Sequence, residues 1–294
     1  MKSYTMIDEE TGEFKEHVLF DELQDVTRKR KLANTMTTTE EFKKMQEQYL
    51  GSFTFFIFKN MDKLEKVLSD SDLVKFLYCA SFIKTDNVLK LDNNHKYINK
   101  KMLQDLLKIG SKAFYKFYNN LIIHKLLIEN KNKLYINVFL FWKGSKINYR
   151  KTAEEKLQNY IRIYIRTIRE LYENTNIRQH KNIALIYKLI PYTNFHFNIL
   201  CNNPNEMEEE LIEPLKIKDI IKILGYNKTN ITRFKHKLYS LKYNNYNIFM
   251  SVQANGDYTD SIIIINPLFF YRGTNINNLK YLISLFKIMK ISNK

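Results

Sequence analysis

The sequence predicts an α+β, mostly helical fold in which one small unit is written twice. Three observations lead there. The octapeptides Asn137–Gly144 (NVFLFWKG) and Asn266–Gly273 (NPLFFYRG) each run from an asparagine through an apolar, aromatic stretch to one basic residue and a glycine. The segments upstream of both agree element by element. Between the two copies, Thr152–Thr175 carries apolar residues at helical spacing.

The upstream agreement starts with LKIGSKAFYKFYNNL (Leu107–Leu121) and LGYNKTNITRFKHKL (Leu224–Leu238). Aligned without gaps, they match Leu107, Phe114, Phe117 and Leu121 to Leu224, Ile231, Phe234 and Leu238. The offset is 117 residues here and 129 at the octapeptides, so the second copy holds twelve extra residues before its last strand. Insertions of that kind belong in loops. Short amphipathic helices precede both, at Asn99–Leu107 and Lys216–Leu224. Further back, the apolar helices Asp72–Ile83 and Asn182–Tyr192 lead into the alternating stretches Asn87–Asn93 and Asn194–Leu200. Each copy therefore reads helix, strand, helix, tight turn, helix, strand, loop, strand. That order is a winged helix: a helix-turn-helix backed by an antiparallel hairpin. Two winged-helix (helix-turn-helix) domains in tandem, joined by a long helix, are expected. The division places a polar arm at 1–52, the first domain at 53–145, the connecting helix at 146–181, and the second domain with a C-terminal helix at 182–294.

In a helix-turn-helix the helix after the turn offers its exposed face to the major groove. With Phe114, Phe117 and Leu121 inward, the first copy turns out Ser111, Lys112, Tyr115, Lys116 and Asn119. The second turns out Lys228, Thr229, Asn230, Thr232, Arg233 and His236, flanked by Lys235 and Lys237. Asn and Arg can read adenine and guanine edges, while Ser, Thr, Lys and Tyr hold phosphates. Neither face carries an acid. A solvated helix face is the plain alternative, and Tyr115 and Tyr118 also suit a protein interface. The first wing, Glu129–Lys133, brings Lys131 and Lys133 towards a phosphate or minor groove. The second, Ser251–Ser261, has the hairpin signal Asn255-Gly256 but no Lys or Arg. The acidic stretch Asn205–Pro214 is expected to face away from DNA.

In the connector, Thr152 and Glu155 spell a capping box, with Leu157, Tyr160, Ile161, Tyr164, Ile168 and Leu171 as the apolar stripe. Arg162, Arg166 and Arg169 lie on another face, either solvated or touching a DNA backbone. RKRK at Arg28–Lys31 is a solvated charge run or a DNA-gripping arm. Asn275–Lys290 reads as an amphipathic helix packed on the second domain.

The formal net charge is +16 over 294 residues, with 45% hydrophobic residues, which gives a folded basic chain suited to a polyanion. Part of the lysine follows from a composition crowded with Lys, Asn, Ile, Tyr and Phe. Cys79 and Cys201 lack metal-ligand spacing and fit a reducing cytoplasm. The acidic N-terminus is no signal peptide, and no apolar run approaches the ~20 residues of a membrane span. The sequence has no GxxxxGK[ST] loop or HxH pair, no carboxylate cluster in it suggests a two-metal nuclease or polymerase, and its six histidines are scattered. The expectation is a non-enzymatic cytoplasmic protein without cofactor or metal.

In layout, Asp72–Gly144 and Asn182–Gly273 resemble the plasmid replication initiators that bind repeated origin sequences. KKMLQDLLKIGSKAFYKFYNNL and LYINVFLFWKG also resemble winged-helix replication proteins of Gram-positive plasmids and phages. The resemblance implies binding of double-stranded DNA repeats as a monomer and autorepression as a homodimer through the first domain. It also implies recruitment of host replication proteins, with much of the base reading in the second domain. The long N-terminal tail and the acidic insertion depart from that layout. A transcriptional regulator, a centromere-binding partition protein, and a protein-interaction module are the other readings.

Overall fold

The computed structural model describes residues 3–7, 14–19, 39–92, 96–227, 231–253 and 261–291. Met1–Gln48 and Tyr49–Lys294 form two compact units. In the first, β1 (Ser3–Ile7) pairs antiparallel with β2 (Phe14–Leu19), and residues 39–48 belong to α1, a helix over 39–49 whose last residue is counted in the second. The expected polar arm thus contains regular structure. Residues 28–31 lie outside the described residues.

The second unit opens with β3 (Phe53–Ile57), α2 (Met61–Val67) and α3 (Asp70–Ala80). Ser69 caps α3 by accepting the Asp72 N–H at 3.2 Å. Next come α4 (Lys100–Leu107), α5 (Ser111–Ile123), the hairpin of β4 (Leu127–Asn130) and β5 (Lys133–Ile136), and the short β6 (Phe141–Trp142). Then follow α6 (Lys146–Ala153), β7 (Tyr160–Tyr164), α7 (Ile165–Asn174) and α8 (His180–Lys188). The chain continues through α9 (Ile217–Ile223), α10 (Ile231–Tyr239) and the small hairpin β8 (Lys242–Tyr243) and β9 (Tyr246–Asn247). It ends with β10 (Phe249–Gln253), β11 (Ser261–Ile265), β12 (Phe270–Tyr271) and α11 (Ile276–Ile291). The architecture is α+β and mostly helical, with small sheets.

The expected long helix over 152–175 does not exist. α6 stops at Glu154, whose φ of 57° is left-handed, and β7 begins at Tyr160. No capping box forms: Thr152 donates to the Asn148 carbonyl, while Glu155 accepts from Lys59 at 2.6 Å and from Tyr149 at 3.0 Å. The helical stripe mixed Leu157 of a coil segment with residues of a strand and of a helix. YIRIY alternates aromatic and β-branched residues with strand propensity, and its pairing satisfies the backbone of the apolar β3. Lys156→Pro is therefore expected to shift stability by under about 0.5 kcal/mol, because Lys156 lies in exposed coil. Ile163→Pro, between Thr54 and Phe270, should cost about 3 kcal/mol or more. Thermal melts of the two variants would read this, and equal losses would contradict the strand.

The four-stranded sheet has the order β12–β7–β3–β6. In the central pair Phe53 lies opposite Tyr164, Phe55 opposite Arg162, and Ile57 opposite Tyr160. On the flanks, Phe55 pairs with Trp142 and Arg162 with Tyr271. Phe55 and Arg162 therefore occupy corresponding places and face each other, as across an approximate two-fold axis. α3 and α8, the corresponding helices, pack together, and one apolar core runs from Phe56 through Phe76 and Ile186 to Phe270. Here α3 is buried almost all round, from Leu73 to Ala80.

The octapeptides occur twice because each closes its copy with the same hydrogen bonds. Asn137 Oδ1 accepts the Phe139 N–H at 2.9 Å, and Asn266 Oδ1 accepts the Leu268 N–H at 3.0 Å. Their side-chain amides donate to the Lys125 and Asn247 carbonyls. The basic residues turn inward. Lys143 reaches the Phe53 carbonyl, and burial lowers its pKa. Arg272 stacks on Phe58 and Phe195 at 5.1 and 5.2 Å. Gly273 is needed for close approach, because a Cβ there would meet the Tyr271 hydroxyl at 2.6 Å and the Phe195 carbonyl at 2.9 Å.

The structure places the twelve extra residues of the second copy. The offset is 117 at Leu121/Leu238, 122 at Leu127/Phe249 and 129 at Ile136/Ile265. Five of them fall before β10, where the β8–β9 hairpin lies, and seven lengthen the β10–β11 hairpin: one in each strand and five between the strands. The expected strand at Asn194–Leu200 shrinks to bridges at its end, where Ile199 pairs with Ile264, since residues 195–197 form a turn.

Candidate nucleic-acid interface

In the first copy, Asn99 caps α4 by accepting the Met102 N–H at 3.0 Å. Lys108, with φ of 51°, ends α4, and Gly110 starts α5. This tight turn is braced from behind: Tyr172 on α7 donates its hydroxyl to the Leu107 carbonyl at 2.8 Å. Phe114, Phe117, Tyr118 and Leu121 anchor α5 in the core. Its other face exposes Ser111, Lys112, Tyr115, Lys116 and Asn119, with Tyr115 half exposed at 50%. Tyr118, read as a possible interface residue, is instead 2% exposed and donates to Glu129 at 2.7 Å. Its ring continues the aromatic packing of Phe114, which draws it inward.

In the second copy α9 is capped by Asp219, whose carboxylate accepts the Lys216 N–H at 3.1 Å, and Gly225 turns with φ of 69°. Lys228, Thr229 and Asn230 lie outside the described residues. On α10, Phe234 and Leu238 are buried, while Thr232, Arg233, Lys235 and His236 are exposed. Lys237 is half-buried, donating to the Tyr226 hydroxyl at 2.6 Å and lying over its ring.

Lys131 is exposed at the β4–β5 turn. Lys133 lies 4.0 Å over the Tyr97 ring, with Lys90 on the same ring at 4.5 Å. These residues, with Lys84 and Lys143, line a depression of about 500 Å³ beside the hairpin. The lysines hold the Tyr97 phenol below its ordinary pKa, Lys133 foremost. Sequence reasoning missed Lys90, and it also missed Lys100, which sits over Tyr115 and Tyr118 at 4.7 and 4.5 Å. Its signal was its place directly after the Asn99 cap.

The cations divide into two groups. Lys75 pairs with Asp72, Lys188 with Asp70, Lys59 with Glu155, and Lys84 and Arg169 with Asp92. Arg169 also donates to Ser81, and buried Arg162 donates to the Gly273 carbonyl at 2.9 Å. The connector arginines at 162 and 169 are therefore neither solvated nor arrayed for phosphates, because the strand and α7 turn them into the fold. Among the described residues Lys112, Lys116, Arg233 and Lys235 are in no ion pair.

His180 supports this site at a distance. Its Nε2 lies 3.0 Å from both the Tyr172 and Thr175 carbonyls, which fits the neutral tautomer with the proton on Nε2. Burial lowers its pKa below the ordinary 6.5, so the unfolded chain binds the proton more readily. Its contribution to stability is complete above about 6.5 and shrinks as pH falls below that. Burial and Arg272 move His196 the same way. A series of melts from neutral to mildly acidic pH should show falling stability, and His180→Gln should make that fall shallower. An unchanged slope would contradict the assignment.

Among the described residues no three His, Cys, Asp or Glu side chains gather as metal ligands, and no helix is long and apolar enough to cross a membrane. Compared with protein-family models, curated proteins and solved structures, the chain matches none.

Proposed function

We propose that this chain is a sequence-specific double-stranded DNA-binding protein, and that it initiates replication of a plasmid or phage by binding origin repeats. One observation carries the reading. Two corresponding helices, α5 and α10, each come next after a helix that ends at a left-handed residue, Lys108 or Gly225, and their described residues hold an exposed polar face with unpaired cations and no carboxylate. On this reading each copy is a winged helix, with three helices, the last of them the reading helix, followed by a hairpin. The exposed residues of α5 and α10 differ, so one chain holds two unlike reading halves, which suits a monomer on an asymmetric site better than a dimer on a palindrome.

The test is selection of bound sites from random duplex DNA with the full chain, followed by titration at two salt concentrations. A single asymmetric site of about two helical turns, with affinity falling steeply as salt rises, is the expected result. A palindrome would favour a dimeric regulator or partition protein instead. Weak, salt-insensitive enrichment would favour a protein-interaction module.

A further inference from the structure

The internal repeat shows a groove that one copy fills and the other leaves open. In the second copy Thr167 donates to the Leu268 carbonyl at 2.8 Å. In the first, Asn60, the residue corresponding to Thr167, donates to the Phe139 carbonyl at 3.3 Å. Leu268 corresponds to Phe139, and Asn266 to Asn137. In the second copy the surface above these residues is covered. The β8–β9 hairpin brings Tyr243 and Tyr246, and α11 brings Ile283 and Phe286, leaving a cavity of about 170 Å³. Among the described residues the first copy has neither element at this place. Its groove is about 490 Å³, with Leu64, Val67, Leu126 and Phe139 in the lining, and Phe139 is 41% exposed.

We infer that the first-copy groove receives an amphipathic helix from a partner protein, and that this helix carries acidic residues beside its apolar face. The symmetry argues for a helix, because α11 is what occupies the corresponding surface. Charge argues for the partner. The lining includes Lys59, Lys63 and His124 and no carboxylate. Lys59 is already tied to Glu155, which leaves Lys63 and His124 exposed at the rim. A second copy's α11 fits poorly, since INNLKYLISLFKIMKI bears lysines and no acid. Apolar anchors supply the affinity of such helix-in-groove binding, and flanking charge selects the partner.

The probe is a fluorescein-labelled peptide of Ile276–Ile291 with Lys280, Lys287 and Lys290 replaced by glutamate, compared with the native peptide by anisotropy on the full chain. The acidic peptide should bind at micromolar concentrations, and the native one about tenfold more weakly. Phe139→Asp should weaken the acidic peptide about tenfold, and Lys63→Glu about threefold, with unchanged melting and unchanged DNA binding. Unchanged DNA binding separates this inference from the DNA reading. No binding of the acidic peptide, equal binding by Phe139→Asp, or tighter binding of the native peptide would each overturn it.

Discussion

Replacing Asn87 by alanine is expected to cost about 3–5 kcal/mol, and replacing Asn198 about 2–4 kcal/mol. These buried asparagines stand at corresponding places, in left-handed backbone with φ of 56° and 52°. Asn87 Nδ2 donates to the Ile136 and Phe141 carbonyls, and its Oδ1 accepts the Lys143 N–H. Asn198 Nδ2 donates to the corresponding carbonyls of Ile265 and Phe270 at 3.2 and 3.0 Å. Each therefore ties the end of the hairpin to the short strand of the central sheet. Alanine withdraws the donors from buried carbonyls and also strains a backbone that asparagine tolerates. Asn198 Oδ1 has no partner, so its loss should be the smaller one. Urea denaturation of the two variants gives the comparison. Losses below about 1 kcal/mol in both would show that these bonds do not hold the sheet.

The second large effect concerns the candidate reading helices. If Arg233 reads a guanine, Arg233→Ala should relax specificity at one base position by about 1–3 kcal/mol and leave other positions unaffected. Lys112→Ala should weaken binding to all sequences alike and lower the salt slope by about one. The contrast follows from chemistry: a guanidinium can bond a base edge at two points, while an ammonium acts on a phosphate as a point charge. Both side chains are exposed, so melting should not move. If neither substitution alters binding to the selected site, α5 and α10 are not the DNA-contacting helices.

Much of this molecule was legible as pattern. Phe114, Phe117 and Leu121 against Ile231, Phe234 and Leu238 located both helices after the turns, and the spacing fixed which residues point outward. The octapeptides marked the end of each copy. What misled was the stretch from Thr152 to Thr175, where apolar residues from coil, a strand and a helix fell by accident on one helical stripe. Period alone could not separate them, because a five-residue strand holds too few residues to outvote a 24-residue window. Tyr118 was misplaced for a different reason. Helical spacing sets it four residues after Phe114, on the buried face, and its hydroxyl, which also suits an interface, is satisfied by Glu129 across a turn.

Local chemistry in the chain set where helices begin, since Ser69, Asn99 and Ser145 cap the helices that follow them whatever lies beyond. It also set the repeat itself, the composition of the exposed faces and the net charge. The folded structure settled whatever depends on residues distant in sequence. Phe55 meets Arg162 only because β3 and β7 pair across 107 residues, and that pairing turns two copies into one core. It also divided the cations: Arg162, Arg169 and Lys143 found internal partners, while Lys112 and Arg233 did not. A lysine reads the same in sequence in either setting. Whether a carbonyl, a carboxylate or open solvent faces it is fixed by long-range packing, because the apolar contacts that pay for folding decide which surfaces remain outside.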